Sequence, residues 1–348
     1  MRAVLWLIGL ALAALGVYFF SQMIPLSGAF ATLEPRLVAQ CRPVDIFPGT
    51  EDVIIDPDLG VAFISADDRR ATQAGAPVQG GIYTLRLDGS DRVSRVSPDS
   101  FGEFHPHGIS LWSSPEGMKR LFAVNHTIDE GDKVEIFDVG FAGALIHVDT
   151  ISFGQMSSAN DVLAVGPRSF YVTNDKGFKT GFMNTVEAYL ALPFSSVAFF
   201  DGQNGSIAAK GLAYANGINM SANGRNVYVS ELLRRRIVVY ERDTATNALK
   251  RLKTLRVNTA PDNIELDERG GLWVGGHPKV FDFLKHVEDP AAVAPSTVVH
   301  INPATGESED VFVDTDGILN ASSVGAASGD TLIVGAVFDD HVMVCPLD

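Results

Sequence analysis

Three places along the chain set an acid or amide beside another: Glu51-Asp52, Asn160-Asp161 and Asp262-Asn263. Asn216, in Ala215-Asn216-Gly217-Ile218-Asn219, adds a further oxygen donor. Neighbouring side chains on extended backbone point to opposite faces, so each dipeptide can offer one oxygen to each of two sites. A lone pair of this kind is ordinary turn chemistry. Three such pairs arranged around a common axis would instead build two stacked oxygen-rich sites, the ligand set of a hard cation such as Ca²⁺, which takes about six to eight oxygens.

The histidines form a second constellation. His105 and His107 lie in Phe104-His105-Pro106-His107-Gly108-Ile109-Ser110, His126 follows in Val124-Asn125-His126, and His277 stands in Gly276-His277-Pro278. The His105/His107 pair has the look of zinc ligands, but no cysteine cluster or Glu-x-x-His motif completes a zinc site. Two imidazoles in contact, one orienting the other, can instead serve as a general base for water. Histidines that only satisfy structural hydrogen bonds are the plainer alternative. There is no Gly-x-Ser-x-Gly elbow, Walker loop or dinucleotide fingerprint.

The elements that must position these residues read as short strands. Runs such as Val61-Ala62-Phe63-Ile64, Leu121-Phe122-Ala123-Val124 and Ile237-Val238-Val239-Tyr240 are bounded by Gly, Asp, Asn and Pro, the pattern of an all-β chain. A loop with Asp or Asn, an apolar strand, a Gly-containing turn and a β-branched strand recur about every 50 residues, enough for four strands per repeat. Residues 32–348 divide into about six such units, which predicts a six-bladed β-propeller. A two-sheet sandwich of this length would split into domains joined by a linker, and no Pro- or Ser-rich linker interrupts the chain. Lys176–Pro193 is the least strand-like stretch and reads as a long loop with a helical turn over one face.

The 348 residues carry 42 acidic and 27 basic side chains, a net charge of −15, which argues against a nucleic-acid partner. With 46% apolar and 20% charged residues the chain is a folded globular protein. Ala3 to Phe20 is apolar throughout and approaches the ~20 residues of a membrane-spanning helix. We read residues 1–31 as a signal anchor, or a signal peptide cleaved near Ala29-Phe30-Ala31, with a short linker. Either reading puts the propeller on the non-cytoplasmic side of a membrane, or secretes it into the periplasm or medium. Cys41 and Cys345 are the two cysteines; an end-to-end bridge and two separate buried thiols are both open from spacing alone.

Taken together, these segments resemble the paraoxonase/arylesterase family over nearly the whole chain. The resemblance rests on Glu51-Asp52 after a Gly-Thr turn, Pro106-His107-Gly108-Ile109-Ser110, Asn125-His126, Asn160-Asp161-Val162 and Thr173-Asn174-Asp175. It continues through Ala215-Asn216-Gly217-Ile218-Asn219, Glu231-Leu232-Leu233, Asp262-Asn263-Ile264, Leu272-Trp273-Val274-Gly275 and the terminal strand ending in Cys345.

The resemblance implies a six-bladed propeller with two Ca²⁺ in its tunnel, hydrolysing lactones and aryl esters. Glu51, Asn160, Asn216, Asp262 and Asn263 would hold a catalytic ion, and Asp52, Asp161 and the carbonyl of Ile109 a structural one. His107 and His126 would form a water-activating dyad, with Glu51 or Asp262 the competing base. Tyr214 and His277 would line the substrate pocket, and Cys41 and Cys345 would be bridged. His105, Tyr214 and Gly276 depart from the family pattern, where Asn, Phe and a third cysteine are expected, so substrate preference is the least transferable property. A gluconolactonase-like sugar lactonase and a non-enzymatic calcium-stabilised scaffold are the alternatives, with a strictosidine-synthase-like propeller weaker because the full metal set is present.

Overall fold

A computed structural model of the chain describes residues 2–98 and 102–347. Six four-stranded antiparallel sheets follow one another around an axis. Blade one takes residues 50–95, blade two 106–151, blade three 159–212, blade four 215–256 and blade five 260–314. Blade six combines three strands from residues 322–346 with the strand Arg42–Asp45, which pairs with His341–Pro346 in the register Arg42↔Val344. The β-propeller expected from the repeat is therefore observed, closed by an N-terminal strand added to the last blade.

Strands buried on both faces account for the dense apolar runs. Each pair of neighbouring blades encloses its own core; Phe122, Val124 and Ile136 of blade two, for example, pack on Phe170 and Val172 of blade three. The innermost strands of successive blades touch all round the ring. They are Thr50–Asp56, Pro106–Ser113, Ala159–Ala164, Ala215–Met220, Ala260–Leu266 and Ser322–Ser328.

Three short helices cover the channel face. Arg69–Gln73 is capped by Asp68, whose Oδ1 accepts from the Ala71 amide at 2.9 Å. Phe182–Tyr189 makes the Lys176–Pro193 stretch more helical than expected. Its buried Glu187 accepts from the amides of Gly177 and Phe178 and so folds the preceding loop back onto the helix. Val280–Glu288 is the third, an amphipathic helix the strand-based reading of the sequence missed.

The N-terminal segment is helical from Arg2 to Tyr18, continues as a wide turn over Phe19–Met23 and ends in one turn at Ile24–Leu26. The regular part, 17 residues, is about 26 Å long against the roughly 30 Å of a hydrocarbon core. Among the described residues no helix is long and apolar enough to cross a membrane. The segment's C-terminal end docks on the propeller, where Met23 packs with Ala191 and Ala213 and the Ser27 carbonyl accepts from the Val280 amide at 2.8 Å.

Cys41 and Cys345 form a disulfide across 304 positions of sequence, beside the closing strand pair. The bridge prevents the ring from opening at its one seam. Replacing both cysteines by serine should lower stability by about 2–5 kcal/mol, read as a shift in the urea midpoint with little change in the circular dichroism of the folded state.

Candidate metal centre and active site

Every innermost strand leaves regular pairing near its start, five of the six at residues singled out above. The register slips between Thr50 and Asp52, Pro106 and Ile109, Ala159 and Val162, Ala215 and Ile218, Pro261 and Ile264, and Ser322 and Val324. Glu51, His107, Asn160, Asn216, Asp262 with Asn263, and Ser323 thus stand in bulges at corresponding levels of the ring. A bulge bends the strand and re-aims its side chains. Two glycines make the crowding possible: a Cβ on Gly108 would lie 2.3 Å from Asp161 Oδ1, and one on Gly217 would lie 2.5 Å from the Asp262 carbonyl oxygen.

The bulges produce an oxygen cluster with no donors. Of the ten buried side-chain nitrogens and oxygens that lack a hydrogen-bond partner among the described residues, five are Glu51 Oε2, Asn160 Oδ1, Asn216 Oδ1, Asp262 Oδ1 and Asn263 Oδ1. Their companion atoms are engaged where the structure records them. Asn263 Nδ2 donates to Glu51 Oε1 at 3.0 Å, and His277 Nε2 bonds Asp262 Oδ2 at 3.0 Å. Among the described residues no three His, Cys, Asp or Glu side chains gather as a metal site by themselves; the cluster is two carboxylates and three amides. Burial pushes the Glu51 carboxyl up to about 8, the charges of Asp262 and Asp52 adding to it and Arg69 opposing. An uncompensated set of this kind suits a cation that supplies charge and accepts several hard oxygens.

Asp52 and Asp161 form a second layer. Asp52 accepts from the amides of Val53 (2.9 Å) and Ile109 (2.8 Å), and Asp161 from those of Val162 and Ile218 (both 2.7 Å). Burial raises both carboxyls, Asp52 to about 7, despite these donors. The Ile109 peptide is thereby held against Asp52. Glu265, absent from the sequence reading, joins this layer electrostatically; burial first, then the Asp52 charge, raise its carboxyl.

The histidines separate by role. His105 Nδ1 lies 2.7 Å from Asp67 Oδ1 and its Nε2 3.3 Å from Glu103 Oε1, so the zinc-like pair with His107 does not form. His107 and His126 do meet, with ring centroids 4.9 Å apart and planes tilted by 59°. His107 Nδ1 is 2.7 Å from Arg69 Nη2 and 3.7 Å from Glu51 Oε2. Burial, then the Arg69 charge, hold this imidazole well below its ordinary value. His126 Nδ1 bonds Asp132 Oδ1 at 2.9 Å, and Lys179 Nζ reaches both oxygens of Asp132 at 3.0 and 2.9 Å. Burial alone would raise the Asp132 carboxyl, but the bonds and charges of His126 and Lys179 outweigh it and hold the group well below the carboxylate range.

Arg69, Asp132 and Lys179 were not found from sequence. They lie 38, 6 and 47 positions from the residues they bond. The available signal was the charged quartet Asp67-Asp68-Arg69-Arg70 directly after the strand Val61–Ala66.

Tyr214 takes the left-handed backbone conformation, φ +63°, directly before the bulged strand of blade four, a strained state for a bulky residue. Lys176 Nζ sits 5.4 Å from its ring centroid. His277, expected in the pocket wall, is a buried partner of Asp262, and its ring stacks on Phe283 of the helix Val280–Glu288 at 3.9 Å.

A protein-family model described as Arylesterase matches residues 83–347. Serum paraoxonase/arylesterase 1 of Homo sapiens is 33% identical over 349 residues, spanning 95% of this chain and 97% of that protein. The chain belongs to the arylesterase family. This arylesterase-family protein is accordingly an ester and lactone hydrolase with a small-molecule substrate. Solved propellers align over most of its length. A gluconolactonase from Xanthomonas campestris gives a TM-score of 0.56 at 15% identity, covering 91% of this chain and 96% of that one. Regucalcin from Agrobacterium tumefaciens, described as a calcium-binding protein, gives 0.52 at 12% identity, covering 90% and 94%. At these identities the likeness concerns the fold alone.

The His105–Asp67 pair has a pH signature. The Asp67 bond raises His105 above its ordinary value against the opposing effect of burial. A raised histidine stabilises the fold fully below its unfolded value of about 6.5 and loses that contribution as pH rises through the folded value. Urea unfolding from about pH 6 upward should show a falling component that His105→Gln removes, whatever that variant's overall stability.

Proposed function

We propose that this hydrolase cleaves lactones and aryl esters at a calcium centre in the propeller channel. The carrying observation is the set of five buried oxygens without donors on four bulged strands. Glu51, Asn160, Asn216, Asp262 and Asn263 would hold the catalytic ion. Asp52, Asp161 and the Ile109 carbonyl would hold the structural one, their charge supporting a second cation. When bound, the catalytic ion supplies a Lewis acid for the ester carbonyl and positive charge for the developing oxyanion.

The remaining chemistry belongs to the chain. His107, 3.7 Å from Glu51 through its Nδ1, is placed to take a proton from water beside that set, with His126 behind it; a carboxylate of Glu51 or Asp262 is the competing acceptor. A cavity of about 210 Å³ is lined by Tyr214, Leu232, Leu233 and Phe283, with Phe19 and Met23 of the N-terminal segment completing its wall, and it connects to the oxygen set through Phe283, which stacks on His277, the partner of Asp262. Such a lining accommodates an aryl or alkyl group and excludes water from it, which favours these substrates over a sugar lactone.

We read the compartment as oxidising and non-cytoplasmic, a reading supported by the disulfide. The N-terminal helix would act as its membrane tether, since Leu5, Trp6, Leu7 and Leu10 are exposed.

Hydrolysis of phenyl acetate and of an aliphatic lactone should vanish on calcium chelation and return on adding calcium back; activity that survives complete calcium removal would reject the centre. His277→Leu, which strips the hydrogen bond from Asp262, should weaken calcium binding by about 10–100-fold in calorimetry. Unchanged affinity would remove Asp262 from the ligand set.

A further inference from the structure

Charge is distributed unevenly round the ring. Blade four, residues 215–256, holds nine basic and three acidic residues, a net +6, so the rest of this chain of charge −15 carries −21. The three acids do not neutralise the excess. Glu231 is buried and pairs with Arg236 and Arg234. Asp243 accepts from the amides of Ala245 and Thr246 in its own turn, and Glu241 reaches only Lys250, at 4.0 Å. Among the described residues no carboxylate lies within 4.0 Å of Arg225, Arg242, Arg251, Lys253 or Arg256.

Much of the excess lies along one line. The outermost strand of blade four, Leu249–Arg256, has 8 residues and spans about 26 Å. Its Lys250, Arg251, Lys253 and Arg256 are all exposed, the Lys250 side chain by 81%. Arg242 extends the row at the Leu249 end, held by Asn247 Oδ1 at 3.0 Å and the Gly224 carbonyl at 3.1 Å. Lys253 Nζ donates to the Pro303 carbonyl at 2.7 Å. Such neutral acceptors fix a cation in place without cancelling its charge.

Basic side chains on a sheet edge can simply guard it against pairing with another sheet. Other outermost strands of this ring do without that guard: Leu145–Ile151 and Ser308–Asp314 carry no Lys or Arg, and Gly205–Leu212 carries one. On Leu249–Arg256 regular pairing is already interrupted by a bulge at Leu252, between Lys253 opposite Val239 and Arg251 opposite Tyr240. The cations exceed what edge protection needs.

We propose that the outer edge of blade four is a docking surface for a linear anionic polysaccharide, one that bears sulfate or carboxylate groups along its repeat. A row of single cations running in one direction matches the repeating charges of an extended polymer. Leu252 is the one exposed large apolar side chain on the strand, too little for the apolar anchors of a protein interface. The strand has no aromatic residue on which a nucleobase could stack. Its Arg256 end lies beside the N-terminal segment, since the Val257 amide donates to the Arg235 carbonyl and Arg235 Nη1 to the Leu26 carbonyl. A membrane met through that segment would touch only this end of the row. The surface uses no residue assigned to the channel chemistry, so it stands independently of the hydrolytic reading.

The test measures binding of a size-defined heparin oligosaccharide to the full-length, detergent-solubilised protein by calorimetry at about 50 mM salt. Binding is expected in spite of the negative net charge, and it should weaken steeply as salt rises to about 300 mM. Lys250→Glu/Arg251→Glu should lower the affinity by about tenfold or more, and Lys250→Gln/Arg251→Gln by less. Arg86→Glu/Arg92→Glu, which reverses two cations of blade one, should leave it within about twofold, with circular dichroism confirming the fold of each variant. Absence of binding at about 50 mM salt, or an equal loss in the blade-one variant, overturns the proposal. So does a blade-four variant that keeps its heparin affinity and loses binding to vesicles of equal phosphatidylcholine and phosphatidylglycerol, which would assign the row to a membrane surface.

Discussion

A buried polar atom left without a partner costs about 1–3 kcal/mol, and the channel holds five such oxygens on four adjacent or facing strands. Their combined cost is of the order of a whole domain's stability, about 5–15 kcal/mol. No rearrangement of neighbouring amides relieves it, because the bulges that expose these oxygens also commit the local backbone donors elsewhere. The amides of Val53, Ile109, Val162 and Ile218 all go to Asp52 and Asp161. The two layers are thus built by one device. Donors are concentrated on the second set of carboxylates and withheld from the first, which leaves the first set suited to a cation.

Ring closure and site geometry are the same problem seen from two places. Glu51 sits one residue past Thr50, whose hydroxyl donates to the His341 carbonyl of the last strand at 3.0 Å. The Glu51 carbonyl accepts from Ser323 Oγ at 2.5 Å. Blade one is therefore positioned by blade six, and blade six is completed by Arg42–Asp45 and secured by Cys41–Cys345. Any opening of the seam would displace Glu51 relative to Asn263, its partner from blade five.

The parts of this architecture that were legible in sequence were those with local signatures. Strands such as Phe122-Ala123-Val124 announce themselves by apolar runs, and the acid and amide pairs by adjacency, so the propeller and the oxygen set could be read without coordinates. The bulges could not, because a slip of register is a relation between two strands. Their trace is a glycine inside a strand, Gly108 after His107 and Gly217 after Asn216, at close approaches to the next blade. The helix Val280–Glu288 was missed because its nine residues make only about two and a half turns, too few for a helical period to stand out among strand-like runs. Arg69 opens a short helix and Asp132 stands at the start of a strand, and both are ordinary charges until tertiary structure brings them to imidazoles; no spacing rule connects position 69 with position 107.

The apolar N-terminal segment has a structural role beyond its hydropathy. Tyr18 donates to the Leu190 carbonyl at 3.1 Å, Met23 packs on Ala191 and Ala213, and the Ser27 carbonyl takes the Val280 amide. Those contacts fall on the end of the helix Phe182–Tyr189, on the residue before Tyr214, and on the start of the helix that stacks Phe283 against His277. The segment therefore braces the same three elements that line the cavity of about 210 Å³, and contributes Phe19 and Met23 to its wall. An apolar chamber needs a cover to exclude water, and here the cover is the end of the N-terminal segment, Phe19 to Ser27, so the residues expected only to direct the protein to a membrane also shape the cavity beside Tyr214.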